Sequence, residues 1–296
     1  MAVTKLRTGT PSRRTSRGAR PGAVISSIVR YTVLIVLAIF FLIPFYLLLR
    51  NGLATEQDIT SPHWTFFPST LHFENISELF SDESVPFANS LLISALSSLA
   101  TTAGSVLVAL CAGYGIARIP YRWNGWVFGA ILATLILPGA VTFIPTYTIV
   151  SFLGWVGNIW GLIVPGLFSG FTTFLFRQFF LNFPSELEEA ARVDGLGYWG
   201  ILWRIVVPNS LPIIAALAVV GFIAGWNAFL WPLVITGQNE NAWTVQVSLS
   251  TFLTAQTIVL HELFLAALIA ILPLIVVFLF LQRYIVEGYT QTGLKG

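Results

Sequence analysis

Charge is scarce in this sequence: 9% of its 296 residues are Asp, Glu, Lys or Arg and 56% are hydrophobic, whereas a soluble domain carries about 25% charged residues. That shortage excludes an ordinary water-soluble globule and places the chain in a bilayer. The single cysteine, Cys111, lies in an apolar run, which excludes a disulfide framework and a cysteine-based metal site. Lysine occurs only at Lys5 and Lys295, and no G-x-x-x-x-G-K-[ST] phosphate loop is present, so the chain lacks the usual means of cradling ATP. Histidine is confined to His63, His72 and His261, in or beside polar loops. With no Ser/His pair and no paired carboxylates in an apolar stretch, neither catalytic residues nor a metal site is predicted.

Acidic residues are missing before Tyr31, where seven basic ones stand: Lys5, Arg7, Arg13, Arg14, Arg17, Arg20 and Arg30. A basic tail joined directly to an apolar run belongs beside anionic lipid headgroups, and nucleic acid is not expected as a partner. The run itself, about 19 residues, exceeds a signal-peptide core of roughly 7–15 and has no A-x-A site close behind it, so it reads as a membrane helix. Two parts follow: residues 1–29, a basic cytoplasmic tail expected to be flexible, and residues 30–296, a transmembrane domain.

What is present is apolar length. Stretches near 31–49, 88–115, 126–149, 159–176, 210–235 and 263–282 can each cross a hydrocarbon core, and none contains Asp, Glu, Lys, Arg or His. The expected fold is all-α and polytopic, with six transmembrane helices. Loop charge tests the topology independently, because Lys and Arg accumulate on the cytoplasmic side. With the amino terminus inside, 14 of the 15 basic residues fall in cytoplasmic segments, and only Arg50 lies outside. Both termini are therefore predicted cytoplasmic. The first external loop, 51–87, holds six acidic residues and no basic one. Trp123 and Trp126 bracket the inner end of the third span, and Trp155, Trp160, Trp231 and Trp243 fall near outer boundaries, as an aromatic belt does.

The segment between the fourth and fifth spans is the most informative: LNFPSELEEAARVDGLGYWGILWRIVVPNSLP, residues 181–212. Ser185 followed by Glu188 predicts a capping box and a helix start. Good helix formers continue to Gly195, the expected left-handed stop, with Leu187, Ala190, Ala191 and Asp194 on one face. Two alanines on that face permit close approach of a partner, while Glu186 and Glu189 offer carboxylates to basic residues across an interface. A second amphipathic turn, Trp199, Leu202 and Ile205, leads to Pro208 and Pro212. The prediction is a helix–turn–helix projecting from the membrane.

Here the chain resembles the permease subunits of binding-protein-dependent ABC importers, whose cytoplasmic motif reads E-A-A, three residues, G, nine residues, I-x-L-P. The counterparts are Glu189-Ala190-Ala191, Gly195 and Ile205-Val206-Val207-Pro208, with Val207 in the usual leucine position. Asp194-Gly195 and Pro212 are common in the carbohydrate-uptake branch. WNAFLWP (226–232) and EGYTQTGLKG (287–296) are similar to segments of the second, G-type subunit of maltose- and glycerol-phosphate-type importers. The resemblance covers residues 30–296.

It implies a subunit of the prokaryotic plasma (inner) membrane that forms half of a translocation pathway for a carbohydrate. A second homologous permease would complete the pathway, two ATP-binding subunits would supply energy, and an extracytoplasmic solute-binding protein would deliver the solute. No cofactor is expected on this chain; ATP and magnesium would sit on the partner ATPase. Glu186, Glu189, Ala190, Ala191, Asp194, Gly195, Ile205 and Pro208 would couple to that ATPase.

Asn227, with Trp226 and Phe222 nearby, is an amide well inside the fifth apolar stretch, and amide plus aromatic face suits a polyhydroxylated sugar on the pathway. An interhelical hydrogen bond among ordinary bundle aromatics accounts for the same residues. Disaccharide, longer oligosaccharide, polyol and glycerol phosphate are all compatible solutes. The competing class is an ion-coupled secondary transporter; such carriers often place Asp, Glu, His or Arg at membrane depth, and sodium sites can also be built from neutral oxygens.

Overall fold

The computed structural model describes residues 21–82, 84–237, 239–254 and 259–292, and helix is the only regular structure among them. In order these are α1 (Pro21–Gly52), α2 (Glu56–Thr60), α3 (Glu74–Ser81), α4 (Phe87–Arg118), α5 (Asn124–Ile136), α6 (Gly139–Phe152), α7 (Ile159–Ile163) and α8 (Gly170–Leu181). Then follow α9 (Ser185–Val193), α10 (Tyr198–Ile201), α11 (Val207–Asn209), α12 (Leu211–Trp226), α13 (Leu230–Thr236), α14 (Val245–Thr254) and α15 (Leu260–Thr292). The all-α, polytopic expectation holds at this level. Four helical stretches are long and apolar enough to cross a membrane (Ser26–Gly52, Phe87–Arg118, Ile159–Leu181, Leu260–Phe280), and up to six if each of two bent pairs counts as one span.

By packing, the chain divides into Met1–Leu47 and Leu48–Gly296. The first unit holds most of α1, whose backbone is helical from Pro21, so the last part of the expected flexible tail belongs to a helix. A proline suits such a first turn, since its φ is preset and its missing N–H has no partner there to lose. Residues 1–20 lie outside the described residues. Within Ser26–Gly52 the most apolar 18 residues have a mean hydropathy of 2.8, the character of a helix surrounded by hydrocarbon.

In the second unit α4 is the spine. Ser90, Ser94, Ser98 and Thr102 recur every four residues along its buried face. Lipid gives helices no hydrophobic reason to associate, so small residues and hydroxyl bonds hold them together. Ser94 Oγ accepts from the N–H of Val245 at 2.7 Å, and Ser90 bonds Ser248, tying α14 to α4. A Cβ added at Gly225 of α12 would lie 3.5 Å from Ser98. Toward Arg118, a Cβ on Gly113 would lie 2.7 Å from Phe176 Cβ of α8 and 3.0 Å from the Arg177 nitrogen, so α4 and α8 are in backbone contact. Apolar clusters occupy the two ends of this spine. Tyr114, Phe176, Phe180, Ile201, Leu202 and Val206 form one near Arg118; Leu79, Phe87, Trp226, Val245 and Leu265 form another near Phe87.

Three of the expected spans are not continuous helices; in the fourth, 159–176, α7 gives way to a 3-10 turn at Val164–Gly166 and helix resumes as α8 at Gly170. The third, 126–149, breaks between α5 and α6 with a bend of 103°. Pro138 lacks an N–H and pushes Leu137 out of the α region; Leu137 has ψ 121°. The fifth, 210–235, ends as α12 at Trp226, and helix resumes at Leu230. Asn227 is thus the C-terminal cap of α12 rather than an interior residue.

Candidate functional site

The segment between α8 and α12 folds as an elbow. Leaving α8, the chain turns through Asn182–Pro184 into α9. The expected capping box is not formed: Pro184 occupies the cap position, Ser185 is already helical, and no side chain caps this end. Glu188 instead turns inward and is 2% exposed. Its Oε1 lies 3.2 Å from Nε of Arg118, the last residue of α4, and its Oε2 lies 3.5 Å from a terminal nitrogen of Arg192. The physical reason is that a carboxylate gains more beside a guanidinium in a dry site than beside an exposed backbone N–H. Nε of Arg118 is off-axis for a hydrogen bond, so this contact is a charge pair. A terminal nitrogen of Arg118 donates to the Phe183 carbonyl in the entry turn.

The far end of α9 meets its prediction. Gly195 has φ +83°; its N–H donates to the Arg192 carbonyl at 3.0 Å and that of Leu196 to the Ala191 carbonyl at 3.0 Å. These two bonds are the Schellman arrangement, closed by a residue in the left-handed region. Leu196 and Ala191 then pack together in the apolar cluster beside α4 and α8.

With Glu188 and Ala191 inward, the other side of α9 is free. Glu186, Leu187, Glu189, Ala190, Val193 and Asp194 are exposed, Val193 to 88%. Ala191 is 3% exposed, so it differs from the expected small outer face: it seats the helix, and Ala190 alone of the pair faces out. Beyond Gly195, Trp199 and Trp203 form an exposed edge-to-face pair, ring centroids 5.6 Å apart, while Leu202 is buried. Ile205 is half-buried and Pro208 exposed. Residues 202–206 form a π turn, in which the Val207 N–H reaches back to the Leu202 carbonyl. Pro208 has no N–H to give Ile205 or Arg204, and Asn209 Nδ2 fills in by donating to the Ile205 carbonyl at 2.7 Å. The elbow, Tyr198–Asn209, then meets α12 at 79°.

The three residues expected along a pathway separate. Phe222 and Trp226 are stacked, centroids 5.7 Å apart, and Trp226 Nε1 donates to the Ala270 carbonyl of α15 at 3.0 Å. Both are buried in the α12–α15 packing. Asn227 is exposed at the α12–α13 break; its Nδ2 donates to the Ile223 carbonyl at 3.0 Å and its Oδ1 accepts from Gln246 at 3.3 Å. Gln246 had no signal in the sequence, since 19 residues separate the pair. The Arg118–Glu188 pair was equally hidden, although Glu188 and Ala191 share a helix face at i, i+3 spacing.

Residues 84–291 match the family model described as "Binding-protein-dependent transport system inner membrane component". The chain is 33% identical over 267 residues to the sn-glycerol-3-phosphate transport system permease protein UgpE of Yersinia pestis bv. Antiqua (strain Antiqua), covering 88% of this chain and 95% of that protein. It is 31% identical over 252 residues to the arabinooligosaccharides transport system permease protein AraQ of Halalkalibacterium halodurans, covering 84% and 85%. Its fold is similar to a chain from a bacterial ABC transporter involved in the import of the acidic polysaccharide alginate, with TM-score 0.78, 21% identity, and 91% and 100% of the two chains covered.

Proposed function

As this chain belongs to the family of inner membrane components of binding-protein-dependent transport systems, we propose that it is the membrane-spanning subunit of an ATP-driven importer in the prokaryotic plasma membrane. It forms half of the pathway for a carbohydrate or related polyol delivered by an extracytoplasmic binding protein. The relatives that carry glycerol phosphate and arabinooligosaccharides in their names favour that solute class. Family membership favours this reading over ion-coupled secondary transport.

Six crossings are α1, α4, the bent α5–α6 pair, α7 with α8, α12 continuing into α13, and α15. Sixteen residues of α12 reach about 24 Å, short of a core of about 30 Å, so α13 completes that crossing. The distribution of 14 of 15 basic residues supports cytoplasmic ends and a cytoplasmic elbow.

The observation that carries the proposal is the elbow: E-A-A/G/I-V-V-P spacing held in a helix with a sharp glycine stop, its acidic and apolar outer face free. Glu186, Glu189 and Ala190 meet a separate ATPase, Asp194 and Gly195 end the docking helix, Ala191 seats it from behind, and Ile205 and Pro208 aim the elbow at α12. ATP and magnesium belong to that ATPase, of which two copies drive a pair of permeases. Asn227 is the remaining candidate on the solute path. Two measurements test this. In a Cys111→Ser background, Glu78→Cys should react with an impermeant maleimide from outside and Glu189→Cys only from inside; the opposite labelling overturns the topology. Glu189→Lys should lose co-purifying ATPase, normalised to permease in the membrane, and wild-type recovery overturns the coupling role.

A further inference from the structure

Glu188 and Arg118 stand apart from the docking face and are not explained by it. The carboxylate is 2% exposed, and a buried ion pair adds little net stability over apolar side chains of similar volume. Its placement is what distinguishes it. Arg118 is the final residue of α4, where a cation also complements the helix carbonyl end. From there it grips both the entry turn, at the Phe183 carbonyl, and the first turns of α9, at Glu188. Arg192 closes on Glu188 from the other side. Beside the pair, Ala191 and Leu196 pack α9 into the apolar cluster next to α4 and α8, and apolar contacts are non-directional. At its other end α4 is bonded to α14 through Ser90 and Ser94 and lies against Gly225 of α12 through Ser98.

We propose that the Arg118–Glu188 pair is the strut that converts displacement of α9 into displacement of α4, and through α4 of α12 and α14; Arg118 and Glu188 are positioning residues for transport. This rests on the reading of α9 as the ATPase-docking helix. Apolar packing lets α9 slide; a buried charge pair anchored at two points forces α4 to follow, because separating it strands charges in a dry site.

The test uses the assembled complex in proteoliposomes, with a reporter at the far end of α4: Ala88→Cys, an exposed position, in the Cys111→Ser background. The probe is MgATP with vanadate, and the readout is the rate of modification by an impermeant maleimide. With Arg118 and Glu188 intact, nucleotide trapping should change that rate about fivefold or more, the low end of coupling between sites. Glu188→Gln should abolish the response while ATPase co-purification and basal hydrolysis stay at wild-type values. A merely structural pair would move assembly and leave the response of the assembled fraction intact, and that result overturns the strut. If Glu188→Gln lowers membrane yield, the swapped Arg118→Glu/Glu188→Arg variant decides. Return of the nucleotide response supports the strut, and recovered yield with no response rejects it. Failure of the docking reading is distinguishable, because Glu189→Lys would then keep its ATPase whatever Glu188 does.

Discussion

Gly195 is where a single backbone angle sets the direction of the whole elbow. At φ +83° an L side chain brings its Cβ toward a carbonyl, at about 1–2 kcal/mol. Among the described residues, nothing beyond its two chain neighbours comes within 4 Å of the place a Cβ would take there, so the penalty lies in the backbone. Every 1.4 kcal/mol is about tenfold in population, so Gly195→Ala should deplete the native turn about five- to thirtyfold relative to alternatives. Gly195→Val, β-branched, should be worse, and Gly195→Asn, which tolerates the left-handed region, should be the mildest. Gly197 is the internal control: it is two residues on, equally open, with φ −78°, so Gly197→Ala should be silent. Losing the turn frees the N–H groups of Gly195 and Leu196 from the Arg192 and Ala191 carbonyls and re-aims α9, while the spans, anchored elsewhere, stay inserted. The assay is co-purification of the ATPase with each variant, normalised to permease in the membrane. Association should fall in the order Asn, Ala, Val with Gly197→Ala unchanged. A flat series, or equal loss at Gly195 and Gly197, refutes the argument that this φ angle aims the docking helix.

Gly113→Ala places a methyl 2.7 Å from Phe176 Cβ, so α4 and α8 must separate, at about 1–3 kcal/mol for overpacking; thermal unfolding of the purified complex should shift downward, and no shift would mean the contact yields freely. Arg50 is 3% exposed, bonds Asn51 at 2.8 Å and sits 5.7 Å from the Trp64 ring centroid. Arg50→Ala should loosen the segment 53–73 and raise its proteolytic cleavage from outside, with ATPase association unchanged.

The sequence by itself determined the medium, the class and the motif. Charge-free runs of about 20 residues have no alternative to helix in hydrocarbon, because every backbone polar group must be satisfied within the segment. The E-A-A/G spacing and the glycine stop at Gly195 were legible because they depend on local backbone geometry alone. Tertiary structure decided the rest. Hydropathy could not place the breaks at Pro138 and Asn227, since an apolar run scores alike whether straight or bent. Ser185-x-x-Glu188 reads as a cap until Arg118, 70 residues earlier in the chain, is brought to Glu188 by α4; a distant, half-buried cation then outweighs a local exposed N–H. For the same reason Ala191 faces in and Ala190 out, and Trp226 is buried against α15. Those assignments depend on which neighbour fills each face, and only the packed bundle supplies the neighbours.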